Sequence, residues 1–155
     1  MKNKDNWLLH EHLLYENLLS RCQYAVEIED WEDASLAFRE LVRQLNQHMT
    51  LEEEVLYPAY ESTSHAPQGP TQALRQEHVQ ITRLANELER VIKTRGAEQV
   101  LECLTNLEYL LIKHHEKEED IFLPMAGHIL EDKREEISRR MADFEASQSA
   151  RRQGG

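Results

Sequence analysis

The chain has 155 residues, of which 40% are hydrophobic and 30% charged, which fits one soluble globular domain and excludes a disordered chain. Its net charge of −11 argues against nucleic-acid binding, which needs a basic surface. Only 5 glycines and 4 prolines interrupt long stretches rich in Leu, Glu and Arg, so we expect an all-α fold.

The two cysteines, Cys22 and Cys103, form no C-x-x-C motif and cannot build a disulfide framework, which favours a reducing compartment. Charged and polar residues interrupt the N-terminal segment before any signal-peptide core, and no apolar run reaches transmembrane length. The sequence therefore predicts a cytoplasmic protein that binds neither membrane nor nucleic acid.

The first predicted helix runs from about Asp5 to Glu29, because apolar residues recur along it at intervals of three and four. His12 lies within this apolar stripe. His10 points roughly 200° away from His12 at about 100° per residue, so we expect it at the surface or beside a site.

The second predicted helix follows a short acidic turn and runs to about Tyr57, where Pro58 is expected to end it. Its stripe places His48 and Glu52 on the buried face. Two tyrosines on the stripes, Tyr15 and Tyr57, are expected either to line a cavity or to pack in the core.

A polar linker over residues 61–70, with two prolines and a glycine, separates the two halves of the chain. The third predicted helix begins with Thr71 as its N-cap, carries His78 on its apolar stripe and ends near Gly96. The fourth begins directly afterwards, carries His114 and Glu118 on its stripe, and is expected to stop before the proline at 124.

Four long amphipathic helices joined by short connections predict an up-down-up-down antiparallel four-helix bundle over residues 1–130. Residues 131–155 are expected to add a short helix from about Glu131 to Phe144, followed by a disordered tail. This helix either caps the bundle or forms a homodimer interface, and the sequence leaves both open.

The two halves repeat each other at an offset of 66 positions, as from His48 to His114, which gives the bundle an internal two-fold pseudo-repeat. The pairs related by this offset include His12 and His78, His48 and His114, Glu52 and Glu118, and Glu53 and Glu119. A repeat of these residue types at this spacing brings them to one level of the bundle.

Residues i and i+4 are neighbours on a helix face, so each His-x-x-x-Glu presents a nitrogen and a carboxylate to one point. Buried carboxylates without partners cost several kcal/mol each, and a bound cation removes this cost. Imidazoles with carboxylates suit iron, manganese or zinc, and six of them exceed what one structural zinc uses. The sequence therefore predicts a dinuclear metal site, against the alternative of a hydrogen-bonded polar core. Its predicted ligands are His12, His48, Glu52, His78, His114 and Glu118.

Three other residues near this site have two possible roles each. His115 has no counterpart in the repeat and either replaces or supplements His114. Glu53 and Glu119 obey the repeat, and we expect them to orient the imidazoles or to serve as alternative ligands.

On these residues, the chain resembles hemerythrin-like proteins of the HHE cation-binding domain type. The matching motifs are Glu11-His12, His48-x-x-x-Glu52-Glu53 through Tyr57-Pro58, Glu77-His78, and His114-x-x-x-Glu118-Glu119 through Pro124. The resemblance implies a four-helix bundle around two non-haem iron ions joined by an oxo or carboxylate bridge. It implies that the four repeated histidines ligate iron, together with Glu52 and Glu118 as carboxylates able to bridge.

The chain departs from the oxygen-carrying hemerythrins, which have five histidines, two of them as a His-x-x-x-His pair on the third helix. The neighbours of His78 at that spacing are Leu74 and Thr82. One histidine is therefore missing, unless His10 or His115 supplies it. A site with fewer imidazoles favours sensing or redox chemistry over stable oxygen carriage.

The resemblance favours a di-iron protein that binds, senses or reacts with oxygen or a related small oxidant, peroxide or nitric oxide, as its ligand at the metal. The alternatives are a metal-dependent structural or sensory module, or a di-iron enzyme of peroxide or nitric oxide detoxification or iron-cluster repair. The sequence leaves open the physiological metal, a protein partner, and the choice between carrier, sensor and enzyme.

Overall fold

A computed structural model describes residues 6–62, 69–132, 135–136, 138–140, 142–143 and 146–147. Side chains are described for these residues except 6–11, 125, 129 and 130. This part of the chain is helical with short turns and contains no strand. None of its helices is both long enough and apolar enough to cross a lipid bilayer.

Within the described stretch from residue 6 to 132, six α-helices and two π-helical segments follow one another. The α-helices are α1 (Asn6–Glu27), α2 (Trp31–Leu51), α3 (Tyr57–Glu61), α4 (Gly69–Ile92), α5 (Ala97–Lys117) and α6 (Leu123–Asp132). The π-helical segments, π1 (Glu52–Leu56) and π2 (Glu118–Phe122), join α2 to α3 and α5 to α6. The four long helices form an all-α helical bundle, as the sequence predicts, while the up-down topology stays a prediction.

The turns at the far end of the bundle from the repeated histidines also obey the repeat. Glu29 and Arg95, which are 66 positions apart, both adopt a left-handed backbone with φ of 58°. Asp30 then caps α2 by accepting a hydrogen bond from the backbone N–H of Asp33 at 3.1 Å. Gly96 occupies the corresponding position before α5. The same turn geometry therefore closes both helical hairpins.

Two apolar clusters lie on either side of the repeated histidines. The large cluster is formed by α1, α2, α4 and α5, and the smaller cluster by residues near π1, α3, π2 and α6. On α4, Leu74 belongs to the smaller cluster and Ile81 to the large one, with His78 between them. Burial of each large apolar side chain contributes about 1.5–3 kcal/mol, so both clusters hold the helices firmly around the histidine level.

The prediction that Pro58 and Pro124 end their helices is wrong. In each π-helical segment the backbone bonds span five residues, so that the N–H of Tyr57 bonds to the carbonyl of Glu52. Each proline then falls in the first turn of the next α-helix, where its missing N–H is tolerated. The helix therefore continues to Glu61 in one half of the chain and to Asp132 in the other.

The start of α4 also differs from the prediction. The helix begins at Gly69, so Thr71 lies inside its first turn rather than at the N-cap. Thr71 is buried, and its hydroxyl donates a hydrogen bond to Glu61 at 2.5 Å. Arg75 pairs with the same carboxylate, so that α4 is fastened to the end of α3.

The predicted C-terminal helix lies only partly within the described residues. Residues 135–136, 138–140 and 142–143 are helical, whereas its apolar positions Ile137, Met141 and Phe144 lie outside the described part of the chain. Of the predicted disordered tail, residues 146–147 are helical and 148–155 lie outside the description. The division at residue 130 and the homodimer stay predictions.

Candidate metal centre

All six predicted ligands are buried at one level of the bundle, each at most 5% exposed. Five of them, all but His48, join one further histidine, His115, in two groups whose ligand atoms lie within 4.8 Å of one another. The His78 group consists of Glu52, His78, His114 and Glu118, and the His12 group consists of His12, His115 and Glu118. Glu118 belongs to both groups, so the two lie side by side.

The His78 group converges on one point between α4, α5 and the two π-helical segments. His78 Nε2 lies 3.0 Å from Glu52 Oε1 and 3.1 Å from His114 Nε2. His114 Nε2 lies 3.6 Å from Glu118 Oε1. Two ring nitrogens and two carboxylates facing one another in a buried site are a donor set that fits a cation.

The His12 group contains buried polar atoms that the protein itself leaves without hydrogen bonds. His12 Nε2 and Glu118 Oε1 are 3.2 Å apart, and neither forms a hydrogen bond within the described part of the chain. Buried polar atoms are normally hydrogen-bonded, because leaving them unpaired is costly. A cation between these two atoms would satisfy both, so the residues present fit a metal.

His115 is the seventh residue of the centre. It is buried, and its ring stacks on that of His12 with 3.5 Å between the ring centroids and 12° between the planes. Burial, followed by repulsion from the imidazoles of His12, His114 and His48, lowers the pKa of His115 to about 2. The imidazole is therefore neutral, which is the form that ligates metals.

His48 lies beside both groups but within neither. Its Nε2 is 3.4 Å from Glu52 Oε2, and its ring packs edge-on against His12 with 5.7 Å between centroids. Glu52 thus presents one oxygen to His78 and the other to His48. Burial alone would raise the pKa of Glu52, but the charge of His48 and hydrogen bonds from the surrounding imidazoles hold it well below its usual value. Glu52 is therefore an ionised carboxylate between imidazoles of both halves.

A second layer of carboxylates holds three of the imidazoles from behind. The Nδ1 atoms contact carboxylates as follows: His12 with Glu119 at 2.6 Å, His78 with Glu53 at 2.6 Å, and His114 with Glu77 at 2.8 Å. An Nδ1–H that donates to a carboxylate directs Nε2 towards the centre and makes it a stronger ligand. These contacts agree with the prediction that Glu53 and Glu119 orient the imidazoles.

Glu77 was not predicted to contact the centre. Burial acts to raise its pKa, but hydrogen bonds from His114 and Lys117 lower the pKa below the usual value, so it is ionised. The repeat contains a signal for it, since Glu11-His12 and Glu77-His78 are related by the same offset. That signal names the residue but not its partner, which lies on another helix.

Two tyrosines border the centre. The buried Tyr57 hydroxyl donates a hydrogen bond to Glu118 Oε2 at 3.4 Å and lies 3.4 Å from His78 Nε2. Burial, followed by the charge of Glu52, raises the pKa of Tyr57, so the hydroxyl keeps its proton. Tyr15 packs against the rings of His48 and His115. Both tyrosines therefore line the site. The side chain of His10 is outside the described residues, so its role stays a prediction.

A groove of about 550 Å³ runs between α4 and the α2–π1 helix and reaches the centre. Its walls include Thr50, Glu53, His78, Thr82 and Arg83. Two of these, His78 and Glu53, are also joined by the 2.6 Å contact behind the His78 group. Of the two ligand groups, the groove is therefore bordered by His78 alone within the described residues.

A helical bundle around a buried cluster of imidazoles and carboxylates defines a cation-binding bundle protein. The chain belongs to the Hemerythrin HHE cation binding domain family, whose sequence model matches residues 3–126. The matched segment includes every residue of the two ligand groups. Neither the curated proteins nor the solved structures give a match to the chain.

Proposed function

We propose that the centre holds two iron ions and that the protein binds, senses or reacts with oxygen or a related small oxidant, peroxide or nitric oxide. The observation that carries this proposal is the pair of buried ligand groups sharing Glu118. Histidine and carboxylate ligands suit iron, and a shared carboxylate suits two ions held close together. Bound iron would supply a redox-active Lewis acid.

The six predicted ligands divide between the two ions. His78 and His114 would hold one ion, and His12 and His48 would hold the other. Glu52 and Glu118 would supply the carboxylates shared by both. This assignment is supported by the contacts of Glu52 with imidazoles of both halves and by the position of Glu118 in both groups.

The other residues of the centre prepare it for a small ligand. Glu53, Glu77 and Glu119 hold the imidazoles in place, so the ligand atoms need little rearrangement when iron binds. The apolar clusters on both sides limit access of water. The Tyr57 hydroxyl supplies a hydrogen-bond donor at the His78 group, and the groove beside His78 supplies a route to it.

A metal-dependent structural or sensory module is the second candidate, favoured by contacts that cross between the two halves of the chain. His12 contacts the carboxylates of π2, and His78 contacts those of π1. Metal binding would therefore join the halves, so that occupancy controls the stability of the bundle. The free Cys22 and Cys103 agree with the proposed cytoplasmic location.

Metal analysis with optical spectroscopy on protein purified under nitrogen tests both candidates. We expect about two irons per chain and a near-ultraviolet charge-transfer band on exposure to air, because histidine and carboxylate ligands suit iron. His114→Ala should lose most of the iron, whereas the exposed control His128→Ala should keep it. One zinc per chain with no optical change on exposure to oxygen, peroxide or nitric oxide would establish the structural module instead.

A further inference from the structure

Within the centre, residue 115 does not match its counterpart in the repeat. Its counterpart 66 positions earlier is Met49, which is buried in the large apolar cluster. His115 is buried to the same degree. A methionine packs in such a place without any polar group to satisfy, whereas a buried imidazole needs partners for its nitrogens. The histidine at this position therefore requires a physical reason.

The His115 ring lies among other aromatic rings of the centre. Its ring centroid is 3.5 Å from that of His12 and 5.8 Å from those of Tyr15 and His114. A ligand atom of His115 also lies within 4.8 Å of those of His12 and Glu118. An arrangement of two imidazoles and a carboxylate, with no hydrogen bond to either His12 Nε2 or Glu118 Oε1, is what a cation would satisfy.

The geometry of α5 explains how neighbouring residues reach different groups. Successive side chains of an α-helix point about 100° apart. His114 accordingly belongs to the His78 group, and His115 to the His12 group. The helix α5 therefore places one imidazole in each of the two groups that share Glu118.

We propose that His115 is a ligand of the ion at the His12 group. That ion then takes three imidazoles, from His12, His48 and His115, while the ion at the His78 group takes two. The inference rests on the proposed function and deepens it, because it makes the two metal positions chemically unequal. The position at the His12 group is the richer in nitrogen ligands and binds a borderline transition-metal ion the more tightly.

The test compares His115→Met, which restores the residue of the repeat, with the wild-type chain and with His128→Met. His128 is an exposed histidine of α6 outside both groups, so its replacement controls for the loss of an imidazole. Metal-free proteins are titrated with Co²⁺ under nitrogen against a competing chelator. The cobalt absorption bands report the ligands of each ion.

We expect the wild-type chain and His128→Met to bind two Co²⁺ ions in two distinguishable steps. In His115→Met the tighter step should weaken at least about tenfold and change its absorption bands, since even residues that only support a ligand change metal affinity by about 10–100-fold. The weaker step should keep its affinity. His115→Gln is measured in parallel, so that a packing defect specific to methionine does not decide the result.

Two outcomes would overturn the assignment: wild-type binding of both ions in the His115 variants, or equal weakening of both steps. Failure of the wild-type chain to bind Co²⁺ or Fe²⁺ at all would instead overturn the proposed function. Thermal unfolding of the metal-free variants should match that of the metal-free wild-type chain, which separates ligation from folding. A lower melting temperature of both metal-free variants would mean that His115 acts by packing.

Discussion

The two halves of the bundle, residues 6–61 and 69–126, supply the same ligands in the same order, yet the first histidine of each half depends on the other half. The contacts that cross between the halves join His12 to Glu118 and Glu119, and His78 to Glu52 and Glu53. Either half alone would lack the carboxylates for its first histidine. The repeat therefore builds one centre from two incomplete sites.

The halves differ at several positions near the centre. The first half has Met49 in the apolar core where the second has His115 against His12. The first half has the Tyr57 hydroxyl beside His78, where the second has Leu123 packed against the smaller apolar cluster. The shared residues supply the six predicted ligands, and the residues that break the repeat make the two sides of the centre different.

The largest expected effect comes from the carboxylates that the halves exchange. Glu118→Ala should lose both metal ions, because Glu118 is the residue that belongs to both ligand groups. Its counterpart Glu52→Ala should weaken the binding of both ions but lose less metal, because Glu52 contacts His48 and His78 while the His12 group keeps all its members. Metal analysis of the purified variants measures the difference. Equal losses would show that the halves are functionally equivalent.

A smaller effect is expected from the carboxylates behind the imidazoles. Glu119→Gln should lower the affinity for the ion at the His12 group, and Glu53→Gln should lower the affinity for the ion at the His78 group. Each variant loses the charged acceptor of an Nδ1–H. The loss should be about 10–100-fold in affinity for the affected ion. Competition titrations with a chelator distinguish the two steps. The assignment would be wrong if Glu119→Gln lowered the affinity at the His78 group and Glu53→Gln lowered it at the His12 group.

The smallest effect concerns the pair that fastens α4 to α3, which has no counterpart because Gly127 occupies the position related to Glu61. The hydrogen bond from Arg75 lowers the pKa of Glu61 despite its partial burial. The pair therefore stabilises the fold above the unfolded carboxyl pKa of about 4.3, and the contribution is lost as pH falls through the lowered pKa.

Glu61→Gln should therefore destabilise the metal-free protein by less than about 1 kcal/mol near pH 7, since the pair is partly exposed. The deficit should shrink in acid. Urea unfolding of wild-type and variant chains at neutral and acidic pH measures it. A deficit of the same size at both pH values would mean that packing of the side chain matters rather than its charge.

The repeat made most of the fold, and the burial of the six predicted residues at one level, accessible from sequence, because helix periodicity and the His-x-x-x-Glu spacing are local properties. Glu77 escaped prediction as a partner of His114 because its contact joins α4 to α5, and pairing between helices depends on packing that spacing does not encode. His115 stayed open for a related reason. A shift of one residue along a helix decides whether a side chain faces a site. Sequence patterns do not determine the helix register to within one residue.

The prolines misled for a different reason. A proline normally ends a helix. Nothing in the three acidic residues that begin each π-helical segment, at 52–54 and 118–120, indicates that the turn before the proline widens. The structure instead places a π-helical turn there, which moves each proline to a tolerated position. The sequence shows that the prolines at 58 and 124 are repeated. It predicts that they end a helix, whereas each lies in the first turn of the next one.

Each π-helical turn also acts as an inserted residue in the helix. It holds about one residue more than an α-turn, so everything after it is rotated by roughly 100° relative to an uninterrupted helix. Side chains after the turn, such as Tyr57, are therefore rotated about the helix axis relative to the pattern set by those before it, such as His48. Changing the length of this segment by one residue would turn the Tyr57 hydroxyl away from His78 while leaving His48 in place. The length of the chain here, rather than the identity of its side chains, sets which side chain faces His78.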